Sequence, residues 1–271
     1  ILEHYLSTNH ILMIGMIVTF ILTFFLLEHP FSFLPSDQGR AFAVNGSLSK
    51  GKLRGVGFIF VLCFLISSVL FLPIDVEYVI YAILLFAMMI SGYLDDASKT
   101  PWNEYKKGLI DLVISVVAVL TYMNFNSTTI CFGADEIVIP KALFLILGVI
   151  LIWVSVNVTN CTDGVDGLCA SLCSVTLLAF GVLFAPILQK YAMANFLFLS
   201  VLFAYLYFNS SPSSMLMGDA GSRALGFYIA VIALKSTHPF IYILLAAVMI
   251  VDGGIGLVKI ALKRFLKISI L

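Results

Sequence analysis

Long apolar runs alternate with short polar connections along the whole chain. Runs long enough to cross a bilayer, or nearly so, occupy residues 11–27, 55–72, 78–94, 109–123, 142–156, 167–184, 193–208, 224–234 and 240–257. They predict nine helices. Several fall short of the ~20 residues of an unaided crossing, so tilt, local thinning or polar flanking residues must make up the difference. The run 224–234 carries the weakest signal. The segments are apolar on all sides, as in Leu143-Phe144-Leu145-Ile146-Leu147, whereas the strands of a membrane barrel alternate polar and apolar residues. The predicted class is all-α: a polytopic helical bundle in a membrane.

Composition removes the alternatives. With 61% hydrophobic and 11% charged residues and a mean hydropathy of +1.09, the chain has too little polar surface to cover a soluble globule. A net charge of zero, without a clustered excess of Lys and Arg, argues against a nucleic-acid partner. No Pro/Ser-rich linker, charge block or internal repeat divides residues 1–271, which predicts one integral membrane domain. The first residue is Ile1 rather than Met, so a longer translated chain is expected. Residues 11–27 lack the basic leader and small-residue cleavage site of a signal peptide and read as a retained helix.

Where the charges fall sets the topology. Placing successive connections alternately on two sides puts twelve basic residues on one: Arg40, Lys50, Lys52, Arg54, Lys99, Lys106, Lys107, Arg223, Lys259, Lys263, Arg264 and Lys267. Only Lys141, Lys190 and Lys235 fall on the other. The positive-inside bias makes the first side cytoplasmic and the N-terminus external. Of the five cysteines only Cys131 is then external, so no extracellular disulfide framework is expected. Cys169 and Cys173, one turn apart on a helix face, have the spacing of a metal pair, but read rather as small residues at a helix contact. Externally, Glu136-Ile137-Val138-Ile139-Pro140 has the make-up of a short strand. Asp252, followed by Gly253-Gly254, interrupts the last apolar run. A carboxylate at that depth costs on the order of 3 kcal/mol, and predicts a broken helix whose basic second half emerges along the cytoplasmic face.

Three acidic loops share the cytoplasmic side: Asp95-Asp96 after 78–94, the stretch Asn157-Val158-Thr159-Asn160-Cys161-Thr162-Asp163-Gly164-Val165-Asp166-Gly167, and Met217-Gly218-Asp219-Ala220-Gly221-Ser222. Carboxylates, amides and close-approaching Gly backbone are what a hard cation with a pyrophosphate requires. Asp95 and Asp96 follow directly on a helix end, at the height where lipid headgroups meet cytosolic solutes. Being adjacent, they must point apart, and Lys99 lies three residues beyond Asp96, within pairing reach on a helical turn. The pairs Asn157/Asn160 and Asp163/Asp166 form a polar comb, although Thr162 or Asp163 also suits the cap of a helix starting near Gly167. Gly218 and Asp219 open the third helix, where amides favour an anion and the carboxylate a cation. Lys50 lies in the basic run Ser47-Leu48-Ser49-Lys50-Gly51-Lys52-Leu53-Arg54, which suits anionic phosphates and equally well the ordinary positive-inside bias. Together these features point to phosphoryl chemistry at Mg²⁺. The reading from another class, an ion-coupled transporter, would account for Asp252, but would place its carboxylates near the bilayer midplane in repeated, broken helices.

Asp95-Asp96-X-X-Lys99, the Asn-X-X-Asn-X-Thr-Asp-Gly-X-Asp-Gly run from Asn157 to Gly167, and Met217-Gly218-Asp219-X-Gly221-Ser222 resemble the polyprenyl-phosphate N-acetylhexosamine-1-phosphate transferase family, and within it the branch acting on phospho-N-acetylmuramoyl-pentapeptide. The resemblance implies transfer of phospho-MurNAc-pentapeptide from UDP-MurNAc-pentapeptide to undecaprenyl phosphate in a bacterial cell membrane, giving lipid I and UMP with Mg²⁺. It makes Asp219 the metal ligand and Asp95 the residue at the lipid phosphate, assisted by Asp96. Lys99 would steady phosphate, while Asn160, Asp163 and Asp166, supported by Asn157, would serve nucleotide recognition. The neighbouring branch transfers GlcNAc-1-phosphate with the same loops. The resemblance also allows a homodimer, and implies ten spans; the chain is expected to stop before the family's last helix and a preceding His-rich loop.

Overall fold

A computed structural model describes residues 7–29, 31–39, 49–98, 100, 102–133 and 135–262. All nine apolar segments are helical. In chain order they are α1 (Thr8–Glu28), α2 (Gly57–Phe71), α3 (Val76–Asp96), α4 (Glu104–Phe125), α5 (Lys141–Thr162), α6 (Leu168–Leu183), the short α7 (Ala185–Leu188), α8 (Lys190–Asn209), α9 (Gly218–Lys235), and the ninth segment in two pieces, α10 (Ile241–Leu245) and α11 (Ala247–Ala261). Of these, α1, α3, α4, α5 and α8 are long and apolar enough to cross a membrane, with α2 and α6 shorter apolar helices. The helix starts have local causes. Asp75 accepts a hydrogen bond from the Tyr78 backbone N–H at 2.9 Å at the head of α3, and Asn103 accepts one from Tyr105 at 3.1 Å at the head of α4. The predicted strand is also present. β2 (Asp135–Val138) pairs antiparallel with β1 (Thr129–Phe132), Thr129 opposite Val138, and the hairpin is tied to the end of α9 by Cys131 N–H to Thr237 O, 2.8 Å.

The segment with the weakest apolar signal lies at the centre. Every residue of α9 from Gly218 to Leu234 is buried, and the helix packs on α3 and α5 along much of its length, with α2 and α6 closing other sides. An aromatic layer beside it joins Phe64 stacked on Phe198 at 4.2 Å, with Tyr228 edge-on to both. Outward-facing positions of the surrounding helices stay apolar, including Ile17 and Phe25 on α1, Val69 on α2, Ile83 on α3 and Val113 on α4. Such a surface suits lipid and not water.

Glycine sets how closely the central helices approach. A Cβ on Gly57 would lie 2.1 Å from the Gly221 nitrogen, and one on Gly92 would lie 2.3 Å from the Asp219 carbonyl oxygen. Thus α2 and α3 touch the first turn of α9 backbone to backbone.

The broken last segment is in a different place from the one expected. The chain kinks at Ala246, and α11 runs unbroken through Asp252-Gly253-Gly254. Gly253 serves contact instead, since a Cβ there would meet the Val158 carbonyl oxygen of α5 at 2.1 Å, while Asp252 is exposed. The expected basic continuation at Lys263, Arg264 and Lys267 lies outside the described residues, as do Arg40 and Lys99. At the far end of the bundle, Lys235 closes α9 by pairing with Glu77 of α3 at 3.0 Å and donating to Asn126 Oδ1 at 2.7 Å.

Candidate functional site

Five segments bring charged groups to one end of the bundle: the loop before α2, the end of α3, the start of α4, the end of α5 and the start of α9. Asp95 and Asp96 close α3 and, being adjacent on a helix, point apart. Asp95 accepts from the Trp102 backbone N–H at 2.7 Å and pairs with Lys107 of α4. Asp96 pairs with Arg54 Nε at 2.8 Å and accepts from the Ala220 N–H at 3.1 Å, so its other oxygen caps the first turn of α9.

Asp219 stands between the two cations. One oxygen lies 3.3 Å from Arg54 Nη2 and the other 3.1 Å from Lys107 Nζ. Gly218 makes this approach possible: its φ is +67°, and a Cβ there would lie 2.3 Å from an Asp96 oxygen. Three carboxylates from two helices therefore share a guanidinium and an ammonium, and the two cations knit α3, α4 and α9 to the α2 loop.

The loop before α2 supplies the rest. Arg54 Nη1 reaches Asp37 at 3.1 Å, and Asp37 also accepts from Ser49 Oγ at 2.6 Å. Burial works against the charge on Arg54, yet Asp96, Asp219 and Asp37 around it hold its pKa above the ordinary range. A cavity of about 380 Å³, lined by Pro35, Gln38, Arg54, Asp95, Asp96 and Lys107, opens onto the cluster. Its walls carry both signs of charge, as a site for an anion with its counter-cation does.

The second acidic stretch is mostly helix. α5 continues to Thr162, with Asp163 as its C-terminal cap, and α6 begins after Gly167 (φ 76°) without a side-chain cap. The N-cap position of α6 is thus held by a left-handed glycine, and not by Thr162 or Asp163, the alternative that their residue types also allowed. Asn160 reaches α9 close to Asp219 in sequence, donating to Ser222 Oγ at 3.1 Å. Asn157 turns back on its own helix, donating to Trp153 O at 2.8 Å. Asp166 forms a neighbouring polar spot, accepting from the Ser213 N–H at 3.0 Å with Lys52 Nζ 3.7 Å away. Lys50 is exposed on the turn, whereas Lys52 of the same loop reaches Asp166 and Arg54 reaches Asp37, Asp96 and Asp219.

Lys107 and Asp37 were not singled out from the sequence. A signal for Lys107 does exist: it lies one turn before Asp111 on the stripe of α4 that continues inward through Ile114, Ser115 and Ala118, so its charge faces protein.

The donors suit a hard divalent cation, being carboxylate oxygens. Among the described residues no group of three or more His, Cys, Asp or Glu side chains is placed to hold a metal ion.

Comparison with known proteins places the chain. Residues 78–237 match the family described as glycosyl transferase family 4. The chain is 36% identical to the phospho-N-acetylmuramoyl-pentapeptide-transferase of Treponema pallidum (strain Nichols), over 95% of this chain and 77% of the relative. It is 28% identical to the protein of the same name from Halalkalibacterium halodurans, over 90% and 81% of the two chains. The match with the one from Dictyoglomus turgidum is 25%, over 90% and 80%. With acidic residues gathered at one end of an apolar helical bundle and this similarity along nearly its whole length, the chain belongs to glycosyl transferase family 4.

Proposed function

We propose that the chain transfers phospho-MurNAc-pentapeptide from UDP-MurNAc-pentapeptide to undecaprenyl phosphate, forming lipid I and UMP in peptidoglycan synthesis. The observation that carries this is the meeting of Asp95, Asp96 and Asp219 around Arg54 and Lys107 beside a cavity at one end of the bundle. The names of the most similar relatives supply the donor.

In the reaction, a phosphate oxygen of the lipid attacks the sugar-bearing phosphorus of the diphosphate, and the bond to the bridging oxygen of UMP breaks. Charge accumulates on the departing phosphate, so placement and counter-charge supply most of the rate. Asp219, with Asp95 across Lys107, would hold Mg²⁺, which when bound offsets phosphate charge and polarises the reacting phosphorus. Arg54 and Lys107 would donate to diphosphate oxygens once the carboxylates have another counter-ion. Asp95 would contact or deprotonate the lipid phosphate, with Asp96 holding the first turn of α9 beside it. Asn160, Asp163 and Asp166 would serve the nucleotide, with Asn157 behind them. Lys99 keeps the phosphate-steadying role that the motif gives it.

The same reading puts nine crossings in a bacterial plasma membrane, counting α10 and α11 as one, with the N-terminus outside and the site cytoplasmic. It is supported by the distribution of basic residues. The site elements also meet at one end, while Glu77, Asn126 and Lys235 meet at the other.

UMP release with undecaprenyl phosphate and Mg²⁺, comparing UDP-MurNAc-pentapeptide with UDP-GlcNAc, tests the assignment. Release with the muramoyl donor alone is expected, and release with UDP-GlcNAc alone would move the chain to the neighbouring branch. Asp219→Ala should abolish Mg²⁺-dependent turnover in protein that remains folded in detergent; near-normal turnover would remove Asp219 from the metal site.

A further inference from the structure

One turn inward from the cluster lies a second ion pair for which the reaction has no direct use. Arg223 Nη2 pairs with Asp111 Oδ1, and the two side chains are each 3% exposed. Arg223 follows Asp219 by four residues on α9, and Asp111 follows Lys107 by four on α4. Each helix therefore turns one cation and one anion toward the other, in opposite order: Lys107 meets Asp219, and Asp111 meets Arg223. The four charges form a square in which every edge joins opposite signs, both across the helices and along them.

A buried pair of this kind is a poor source of stability, because desolvation cancels most of the attraction and a matched apolar pair packs as well. It is nonetheless demanding about geometry. Arg223 retains one buried nitrogen, Nη1, without a hydrogen-bond partner, so this guanidinium is held by Asp111 at one corner and not clamped flat. The cost of an unmet donor is accepted where the pair holds α4 and α9 in register beneath Lys107 and Asp219. Asp219 also lies in the positive field of Arg223, beside those of Lys107 and Arg54.

We propose that Asp111 and Arg223 are positioning residues. Their pair fixes α4 against α9, so that Lys107 is delivered between Asp95 and Asp219, and the alternating square keeps Lys107 on those carboxylates. Neither residue touches substrate. The inference rests on the transferase reading only for its activity readout.

The test separates packing from placement. Removing one partner, as Asp111→Asn or Arg223→Gln, should lower the melting temperature and kcat together. The double variant Asp111→Leu/Arg223→Leu removes both charges and should restore the melting temperature to near that of the parent protein. Its kcat for UMP release should remain at least tenfold low, with KM for the UDP donor within threefold of the parent value. Recovery of kcat along with the melting temperature would overturn the proposal, since the pair would then be packing alone. Should the double variant fail to fold, Arg223→Lys keeps the charge and shortens the reach; about a fivefold loss of kcat at unchanged KM is expected, and parent kcat would equally overturn it. Absence of activity from the parent protein with every donor would count against the transferase reading. The melting temperatures of the same variants would still report on the pair: recovery in the double leucine variant is expected, and failure to recover in a folded double variant would overturn its independence from packing.

Discussion

Replacing Gly92 by Ala perturbs the site without removing any group that acts in it. Gly92 lies one turn before Asp95 and Asp96 on α3, and its missing side chain is where the backbone of Asp219 and Ala220 passes. An added Cβ would sit 2.3 Å from the Asp219 carbonyl oxygen, 2.4 Å from its carbon and 2.6 Å from the Ala220 nitrogen. Ordinary contact begins at 3.4 Å, so the two helices must separate by about 1 Å, and both obstacles are backbone, which no rotamer change relieves. Overpacking of this kind costs about 1–3 kcal/mol, against which the better helix propensity of Ala returns up to ~1 kcal/mol. The larger effect is on placement. Asp95 and Asp96 move with α3 while Asp219 stays with α9, and a misplacement of ~1 Å in a preorganised site costs on the order of 10²-fold in rate. UMP release by Gly92→Ala should therefore fall ~10²-fold in kcat while the protein stays folded by thermal melting. Gly254→Ala is the control, because a Cβ there meets nothing within 4 Å. A Gly92→Ala protein that turns over like its parent would refute the close-approach argument, since no flexible side chain is available to absorb the clash.

Arg54→Gln should lower the melting temperature without added Mg²⁺, because Asp37, Asp96 and Asp219 lose a shared counter-charge. Added Mg²⁺ should then raise it at lower concentrations than in the parent protein; identical Mg²⁺ titrations of the two would show that Arg54 and the metal do not compete. Cys173→Ala should leave kcat within twofold and cost about 1 kcal/mol of stability, since the thiol is buried beside Met249 Sδ at 3.9 Å in a helix contact. Loss of turnover in folded Cys173→Ala protein would revive a metal role for Cys169 and Cys173.

The sequence was most informative where residues face lipid. Apolar length located all nine helical segments, because a lipid-facing helix must be apolar whatever it packs on. The same measure undervalued α9. A helix enclosed by protein can be built from Gly, Ala and Ser and can carry Asp219 and Arg223, so its hydropathy falls as its centrality rises. Asp252-Gly253-Gly254 misled for a related reason: glycine beside a carboxylate reads as a break, and whether it is a break or a contact depends on Val158 of another helix. In the site, Asp95, Asp96, Asn160 and Asp219 were legible because their spacing along short segments carries the pattern. Asp37 was not, since it reaches the cluster through a pairing separated by 17 residues, which no local spacing records; Lys107, 112 residues from Asp219, left only its place on the inward stripe of α4 as a signal. The turn from Asn157 to Gly167 was read as a loop because its polarity resembles one, whereas polar residues at the end of α5 need only an aqueous cleft beside them.

The enclosure of α9 also bears on how the protein is assembled during synthesis. Asp219 and Arg223 lie in the first turns of α9, at the site end of the bundle, and a charge drawn unpaired from there to the centre of a bilayer would cost ~2.5–3.5 kcal/mol. The elements that neutralise and surround it, α2 with Arg54 before it, α3, α4 with Lys107 and Asp111, and α5, all precede it along the chain. The partners of its charges are therefore synthesised before it, so α9 has a groove to enter as soon as it is made. Moving α9 ahead of α5 by circular permutation would leave the finished contacts unchanged on paper, yet it would ask the most polar helix of the bundle to enter the membrane before the groove that receives it has formed.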